Sequence, residues 1–279
     1  MPGEVAIQVR DLRKSYKSQP AVAGLDLSVA TGEVFALLGP NGAGKTTTVE
    51  ILEGFRRRDS GEVSVLGTDP DRANPAWRAR IGVVLQSTGE FEELTVEEVL
   101  THFAGYYPHP DDPERLMELV GLTGKRKARA RTLSGGQRRR LDVALGVIGR
   151  PELLFLDEPT TGFDPQARQE FWGLIRGLAE AGTTIVLTTH YLDEAEALAD
   201  RVGVITAGRI VAVDTPAGLG NRTSRPATVR WLGPSGPRAE ETATPTEFVA
   251  RLSGELGGEI PQLTVTRPTL EDVYLELIA

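Results

Sequence analysis

The chain has 279 residues, a formal net charge of −8, 40% apolar residues and no cysteine. That length corresponds to roughly two domains, with enough chain to bury a hydrophobic core. The missing cysteine excludes a disulfide framework, a thiolate metal site and a cysteine nucleophile, and the acidic balance speaks against a general nucleic-acid binder, whose surface must meet phosphates with positive charge. No stretch approaches the ~18 uninterrupted apolar residues of a membrane helix, and the opening MPGEVAIQVRDLRKSY carries charges where a signal peptide has its apolar segment.

In chain order, strand-like apolar runs occupy residues 5–9 and 33–38, and a helical pattern follows over 45–52. Strands at 62–66 and 81–85 come next, then helical patterns at 96–106, 113–120 and 136–148. A strand at 153–156, a helix at 165–181, a strand at 183–188 and a helix at 192–199 restore the alternation, and strands at 202–205 and 210–213 close it. Several runs are apolar at nearly every position, as strands covered on both faces of a parallel sheet must be. Strands alternating with helices predict an α/β layered fold.

Two stretches break the rhythm. Residues 87–132 show helices and no strand, so they predict an all-helical insertion. From residue 221 the composition shifts to Pro, Thr, Gly and Arg. This tail predicts a weak strand at 228–232, a Pro- and Gly-rich loop, an amphipathic helix at 247–256, a strand at 262–266 and a closing helix at 270–277. Thr269 with Asp272 forms a capping-box-like start for that last helix. The expected division is one large domain over 1–220, carrying the helical insertion, and a small α+β accessory domain over 221–279.

Gly39-Pro40-Asn41-Gly42-Ala43-Gly44-Lys45-Thr46 fits G-x-x-x-x-G-K-[ST] between a strand and a helix, the context that the phosphate-binding loop requires. Its glycines let successive N–H groups point at one anion, and the helix N-terminus adds partial positive charge. Lys45 supplies a cation for the outer phosphates, and Thr46 supplies a hydroxyl for Mg²⁺. Further on, Leu153-Leu154-Phe155-Leu156-Asp157-Glu158 is an apolar strand ending in two carboxylates. A buried strand delivers its last residues to the carboxyl edge of the sheet, where ligands bind in open α/β folds. Asp157 can hold Mg²⁺ there, and Glu158 can orient or deprotonate a water for attack on the γ-phosphate. The plainer alternative is two carboxylates capping the turn before Pro159.

Leu133-Ser134-Gly135-Gly136-Gln137 opens the helical pattern over 136–148. It is a helix N-terminal turn and also a potential second anion site, with free N–H groups, a hydroxyl and an amide. A second phosphate turn in a chain with one phosphate-loop lysine makes sense if it serves a nucleotide held by another copy.

This combination resembles the ATP-binding-cassette family, over residues 5–219. The resemblance implies a P-loop NTPase cassette: a RecA-like core, an antiparallel β subdomain and a helical signature subdomain, followed here by the small C-terminal extension. It implies that Tyr16 stacks on adenine and that Gly39, Pro40, Asn41, Gly42, Ala43, Gly44, Lys45, Thr46 and Thr47 bind nucleotide. It assigns Gln86 to the Q-loop that senses Mg²⁺ together with Thr46 and Asp157. Leu133, Ser134, Gly135, Gly136 and Gln137 become the signature that contacts ATP across a dimer interface. Within Thr160-Thr161-Gly162-Phe163-Asp164, Asp164 is the acidic residue of the D-loop; Phe163 stands where a smaller aliphatic is common. His190 becomes the switch histidine, acting with Glu158 and Gln86 in catalysis.

The implied cofactors are ATP and Mg²⁺. The implied partners are a second cassette, identical or related, and a separate membrane-spanning permease, with no nucleic acid. The chain would then lie in the cytoplasm, peripheral on the inner face of the cell membrane. The stretches Thr189-His190-Tyr191-Leu192-Asp193-Glu194-Ala195-Glu196 and Arg267-Pro268-Thr269-Leu270-Glu271-Asp272-Val273-Tyr274-Leu275-Glu276-Leu277 resemble the daunorubicin/doxorubicin-type drug-resistance exporters, whose permeases are separate chains of the ABC-2 class. The alternatives are a soluble cassette ATPase acting on DNA or ribosomes, and a nucleotide kinase using the same loop. Residues 87–95 and Phe91 are the candidate docking groove for the permease, whereas Phe103 and Tyr106, three apart on one helix, read as the small core of the insertion. The basic run from Lys125 to Arg131, with Arg138, Arg139 and Arg140, reads as a solvated face.

Overall fold

In the first strand, β1 (Val5–Tyr16), Ile7, Val9 and Leu12 are buried while Gln8, Arg10 and Asp11 face outward. The odd spacing of Leu12 is absorbed at Asp11, whose φ of 44° marks a bulge with a register shift between Val9 and Leu12. The strand therefore runs well past the 5–9 segment legible from sequence. It pairs antiparallel with β2 (Gln19–Ala30) and with β4 (Ser60–Val65), giving a three-stranded sheet in the order β2-β1-β4. The sequence reading missed β2, although Leu25-Asp26-Leu27-Ser28-Val29 alternates apolar and polar as a half-buried strand does.

The computed structural model describes residues 4–85 and 91–278. Two compact units divide the chain, Met1–Val213 and Asp214–Ala279. The first holds a six-stranded sheet ordered β5-β6-β7-β3-β8-β9. Its strands are β3 (Val34–Leu38), β5 (Ile81–Val84), β6 (Leu153–Asp157), β7 (Thr184–Thr189), β8 (Arg201–Thr206) and β9 (Arg209–Asp214). The ladders β5–β6, β6–β7, β7–β3 and β3–β8 are parallel. Both faces are covered, and β3 and β7 are buried at every residue, as continuous apolar runs require. Ala207 and Gly208, with φ of 48° and 73°, turn β8 into β9.

Helices α1 (Lys45–Leu52), α6 (Pro165–Glu180) and α7 (Leu192–Leu198) flank this sheet, with the short α2 (Pro75–Arg78) ahead of β5. One core cluster joins both sheets: Ile7, Leu25 and Val63 from the antiparallel side meet Phe35, Ile51, Phe155 and Val186. Between β5 and β6 the described chain is helical: α3 (Val96–Ala104), α4 (Pro113–Leu119) and α5 (Gly135–Val147), with single 3-10 turns between the last two. A capping box from Thr95 and Glu98 starts α3.

The second unit has its own core. β10 (Ala227–Gly233) pairs antiparallel with β11 (Gly236–Thr242) and β12 (Thr264–Thr266), and α8 (Pro245–Leu256) covers them. Val229, Trp231, Phe248, Leu252 and Ile260 fill the space between sheet and helix. The stretch read as a Pro- and Gly-rich loop thus contains a strand, β11. Its side chains are largely exposed and polar, so it lacks the apolar alternation that would have revealed it. Helix α9 (Leu270–Ile278) starts from Thr269, whose N–H and hydroxyl both donate to Asp272 at 2.7 Å. Contact density places the division between the units at Val213/Asp214, a few residues before the composition change at 221. Among the described residues no helix is long and apolar enough to cross a membrane.

Candidate nucleotide site

The buried strand β3 delivers the chain into the loop Gly39–Thr46 at the carboxyl edge of the parallel sheet. Two glycines there are obligatory. Gly44 has φ of 105°, and a Cβ on it would run into the Ala21 carbonyl; a Cβ on Gly39 would strike the Ile205 carbonyl. The loop then turns into α1, which begins at Lys45. Lys45 is 6% exposed, and its ammonium donates to the Gly39 carbonyl at 2.6 Å and the Pro40 carbonyl at 3.3 Å. Burial pulls the Lys45 ammonium below its ordinary range, while Glu158 and Asp157 oppose that shift.

A cavity of about 300 Å³ opens on this loop, lined by Tyr16, Ala21, Asn41, Gly42, Gly44, Lys45, Thr46, Thr47 and Glu158. Tyr16 sits at the end of β1 and is 41% exposed, with the Arg56 guanidinium 5.2 Å from its ring centroid. Thus a ring, the phosphate loop, a cation and a carboxylate line one space. No residue of Leu133–Gln137 lines it.

The second half of the site comes from adjacent parallel strands. Asp157 ends β6, and Thr188 lies beside it on β7. The Thr188 hydroxyl donates to Asp157 Oδ1 at 2.5 Å and accepts the Glu158 N–H at 3.2 Å, while the Thr188 carbonyl accepts the same N–H at 3.1 Å. Sequence reasoning missed Thr188; its signal was a hydroxyl directly after the apolar run Ile185-Val186-Leu187. Glu158 itself adopts φ of 43°, a left-handed conformation that costs a non-glycine residue on the order of 1–3 kcal/mol and clusters at functional sites. His190 Nδ1 lies 3.3 Å from Glu158 Oε1, and the Thr161 hydroxyl donates to Oε2 at 3.4 Å.

Thr46 and Asp157 offer hard oxygen donors, the set that suits Mg²⁺ alongside phosphate oxygens and water. No group of three or more carboxylates, histidines or cysteines that could cage a metal exists among the described residues. Gln86, the third residue expected near Mg²⁺, lies outside the described residues, as do residues 87–90 of the expected docking groove.

The signature turn starts α5. The Ser134 hydroxyl accepts the Gln137 N–H at 3.3 Å, and the Gln137 side-chain oxygen accepts the Ser134 N–H at 3.2 Å, a reciprocal capping box. Asp164 likewise caps α6, accepting the Ala167 N–H at 2.9 Å. Phe163, the unusual residue beside it, packs edge-on against the buried Phe171.

Phe91, expected to face a partner, packs its ring edge-on against Phe103 at 5.0 Å. Phe103 continues to Tyr106 at 5.8 Å, so these rings form one local aromatic cluster. Tyr106 stays 69% exposed and is not an interior residue. Arginines of the basic run pair with carboxylates from outside it: Arg126 meets Glu97 and Glu114, Arg129 and Arg131 meet Glu93, Arg138 meets Glu92, and Arg140 meets Glu170. Arg139 is the exception, because it points inward and is buried.

Residues 22–161 match the family model described as ABC transporter. The chain is 39% identical to the daunorubicin resistance ATP-binding protein DrrA3 of Streptomyces coeruleorubidus, over 98% of this chain and 96% of that protein. It is 42% identical to the daunorubicin/doxorubicin resistance ATP-binding protein DrrA of Streptomyces peucetius, over 90% of this chain and 76% of that protein. It is 39% identical to the Nod factor export ATP-binding protein I of Paraburkholderia xenovorans, over 90% and 84%. Among solved structures, cbiO1 of Clostridium perfringens, described as part of the ABC transporter complex cbiONQ, superposes with a TM-score of 0.72 at 26% identity over 79% of this chain and 92% of that one. An ATP-binding subunit of an ABC transporter at 24% identity shares the fold over 98% of this chain and 99% of that one, with a TM-score of 0.72. With the phosphate loop, the paired carboxylates and the signature turn on one cassette fold, the chain belongs to the ATP-binding-cassette family as a transporter-type ATP-binding subunit, an ATPase.

Proposed function

We propose that this chain is one of two cassettes that close around two ATP molecules and thereby drive a separate membrane permease in the efflux of a drug or small molecule. The observation that carries the pairing is the composition of the nucleotide cavity. It gathers Tyr16, the phosphate loop and Glu158, while Leu133–Gln137 lies outside its lining. A second copy placed head-to-tail supplies that missing wall: Lys45 and Thr46 hold ATP from one side, and Ser134, Gly136 and Gln137 from the other, at the positive N-terminus of α5. The efflux reading is supported by the daunorubicin-resistance and Nod-factor-export relatives. In this role the chain sits at the inner face of the cell membrane through its permease.

Glu158 takes a proton from the attacking water, and His190 contacts the γ-phosphate; the 3.3 Å between His190 Nδ1 and Glu158 Oε1 supports this pairing. Thr46 and Asp157, with Gln86, would hold Mg²⁺, which would neutralise charge on the phosphates. Tyr16 stacks on the adenine. Asp164 and its D-loop lie beside the nucleotide of the partner. Loss of the γ-phosphate removes charge that both faces had satisfied, and the pair reopens.

The test is Glu158→Gln. It should bind ATP as the wild type does, lose turnover, and run as an ATP-dependent dimer in light scattering. Turnover near the wild-type rate would refute the role of Glu158, and a monomer at saturating ATP would refute the sandwich. Export is tested by co-expression with candidate permeases, with substrate-stimulated ATPase activity in lipid as the readout.

A further inference from the structure

Arg139 lies on the inner face of α5, two residues beyond the signature, and is 6% exposed. All of its described hydrogen bonds go to backbone carbonyls. Nε donates to the Pro159 carbonyl at 3.0 Å, Nη2 donates to the Asp157 carbonyl at 2.8 Å, and Nη1 donates to the Leu85 carbonyl. These acceptors share a position in the fold: each lies at or just past the carboxyl end of β5 or β6, where a carbonyl has run out of ladder partners. Two of them flank Glu158, the residue with φ of 43°. A guanidinium suits this task, since its planar fork of donors reaches three separated acceptors where an ammonium offers one point. Burial pulls the guanidinium below its ordinary range, and Asp142, Asp157 and Glu194 act against that, so the charge is compensated without a direct carboxylate bond.

We infer that Arg139 is a positioning residue for hydrolysis: by bridging the carbonyls on either side of Glu158 it holds that carboxylate in its left-handed setting and ties it to the helix that carries the signature. The inference rests on the proposed role of Glu158. Its consequence is mechanical. Because α5 is one continuous helix from Gly135, a shift of its first turn carries Arg139 with it, and the Asp157–Pro159 backbone and the chain leaving β5 follow. A nucleotide arriving at the signature from a partner would thus act on the water-activating carboxylate through a single side chain. The phosphate loop, which makes the first contact with ATP, is not among the groups Arg139 holds.

The experiment uses the full-length chain, with kcat for ATP hydrolysis and Kd for a fluorescent ATP analogue measured side by side. Wild type and Glu158→Gln anchor the scale; if wild type hydrolyses ATP and Glu158→Gln hydrolyses it equally well, the underlying reading fails before Arg139 is considered. Given that baseline, Arg139→Ala should lower kcat about a hundredfold, the scale of a misplaced catalytic group, with Kd within about threefold of wild type. Millimolar methylguanidinium should restore part of that turnover in Arg139→Ala and none in Glu158→Gln. Arg139→Lys guards against a folding failure: it keeps the charge and most of the volume, reaches one carbonyl, and should lose about tenfold in kcat at unchanged Kd. Wild-type kcat in either variant overturns the inference. So does a parallel loss of kcat and affinity with no rescue by methylguanidinium, because that is the behaviour of a residue that only supports folding.

Discussion

Replacing Thr188 by valine keeps the volume and β-branching of a fully buried strand residue and deletes one hydroxyl. That hydroxyl donates to Asp157 Oδ1 at 2.5 Å and accepts from the Glu158 N–H at 3.2 Å. The second bond is cheap to lose, because the Glu158 N–H keeps the Thr188 carbonyl at 3.1 Å. The first is a hydrogen bond to a half-buried carboxylate, worth about 1.5–3 kcal/mol. Taking ~2 kcal/mol, and ~2–4 °C per kcal/mol for a unit of this size, the main unfolding transition should fall by about 4–8 °C. The hydroxyl also orients a proposed Mg²⁺ ligand, and losing a hydrogen bond that holds a metal ligand costs about 10–100-fold in activity. Differential scanning calorimetry and a steady-state ATPase assay read both effects. Thr189→Val is the comparison, since its hydroxyl accepts the Tyr191 N–H at 2.9 Å and bonds Glu194 rather than Asp157. A Thr188→Val chain within 1 °C and twofold of wild type would show that the Asp157–Thr188 bond carries neither stability nor catalysis.

Gly44→Ala should abolish nucleotide binding in an equilibrium assay and cost at least ~1–3 kcal/mol, because φ of 105° and the Ala21 carbonyl both oppose a Cβ; wild-type affinity would refute the geometry of the loop. Glu53, at the end of α1, has its carboxyl pushed up to about 8 by burial, with Asp157 and Glu50 adding repulsion. The folded state therefore binds more protons than the unfolded one between about pH 4.5 and 8, so the nucleotide-free chain should lose stability as pH rises across that window. Glu53→Gln should flatten the dependence and stabilise the chain at pH 8 by on the order of 1–3 kcal/mol, read by urea denaturation at pH 5 and 8; a parallel pH dependence in both chains would exclude Glu53. Phe248→Ala removes the ring that packs at 5.7 Å against Trp231. It should cost the C-terminal unit about 3–4 kcal/mol, seen as tryptophan exposure at lower urea.

Much of the nucleotide site was legible because its chemistry is local. The glycine pattern of residues 39–44 dictates positive φ and close backbone approach, and an apolar strand ending in Asp157-Glu158 dictates where two carboxylates emerge. The same holds for the Thr269–Asp272 cap, where side chain and backbone lie one helical turn apart. The strands β2 and β11 were less legible: β2 is broken by Gly24 with φ of 92°, and β11 carries polar side chains on a sheet edge.

By itself the sequence determined most of the elements, though neither β2 nor β11, together with the phosphate loop, the carboxylate pair and the family, because each of these rests on residues close together in the chain or in fixed order along it. Tertiary structure decided which distant groups share a site. Thr188 is 31 residues from Asp157, yet parallel pairing of β6 and β7 sets them side by side. Arg139 looks like one cation in a run of three, and only the packing of α5 against the strand ends turns it inward to the carbonyls around Glu158. Hydrogen bonds to backbone carbonyls leave no trace in sequence, because every residue has one; position in space selects the three that matter.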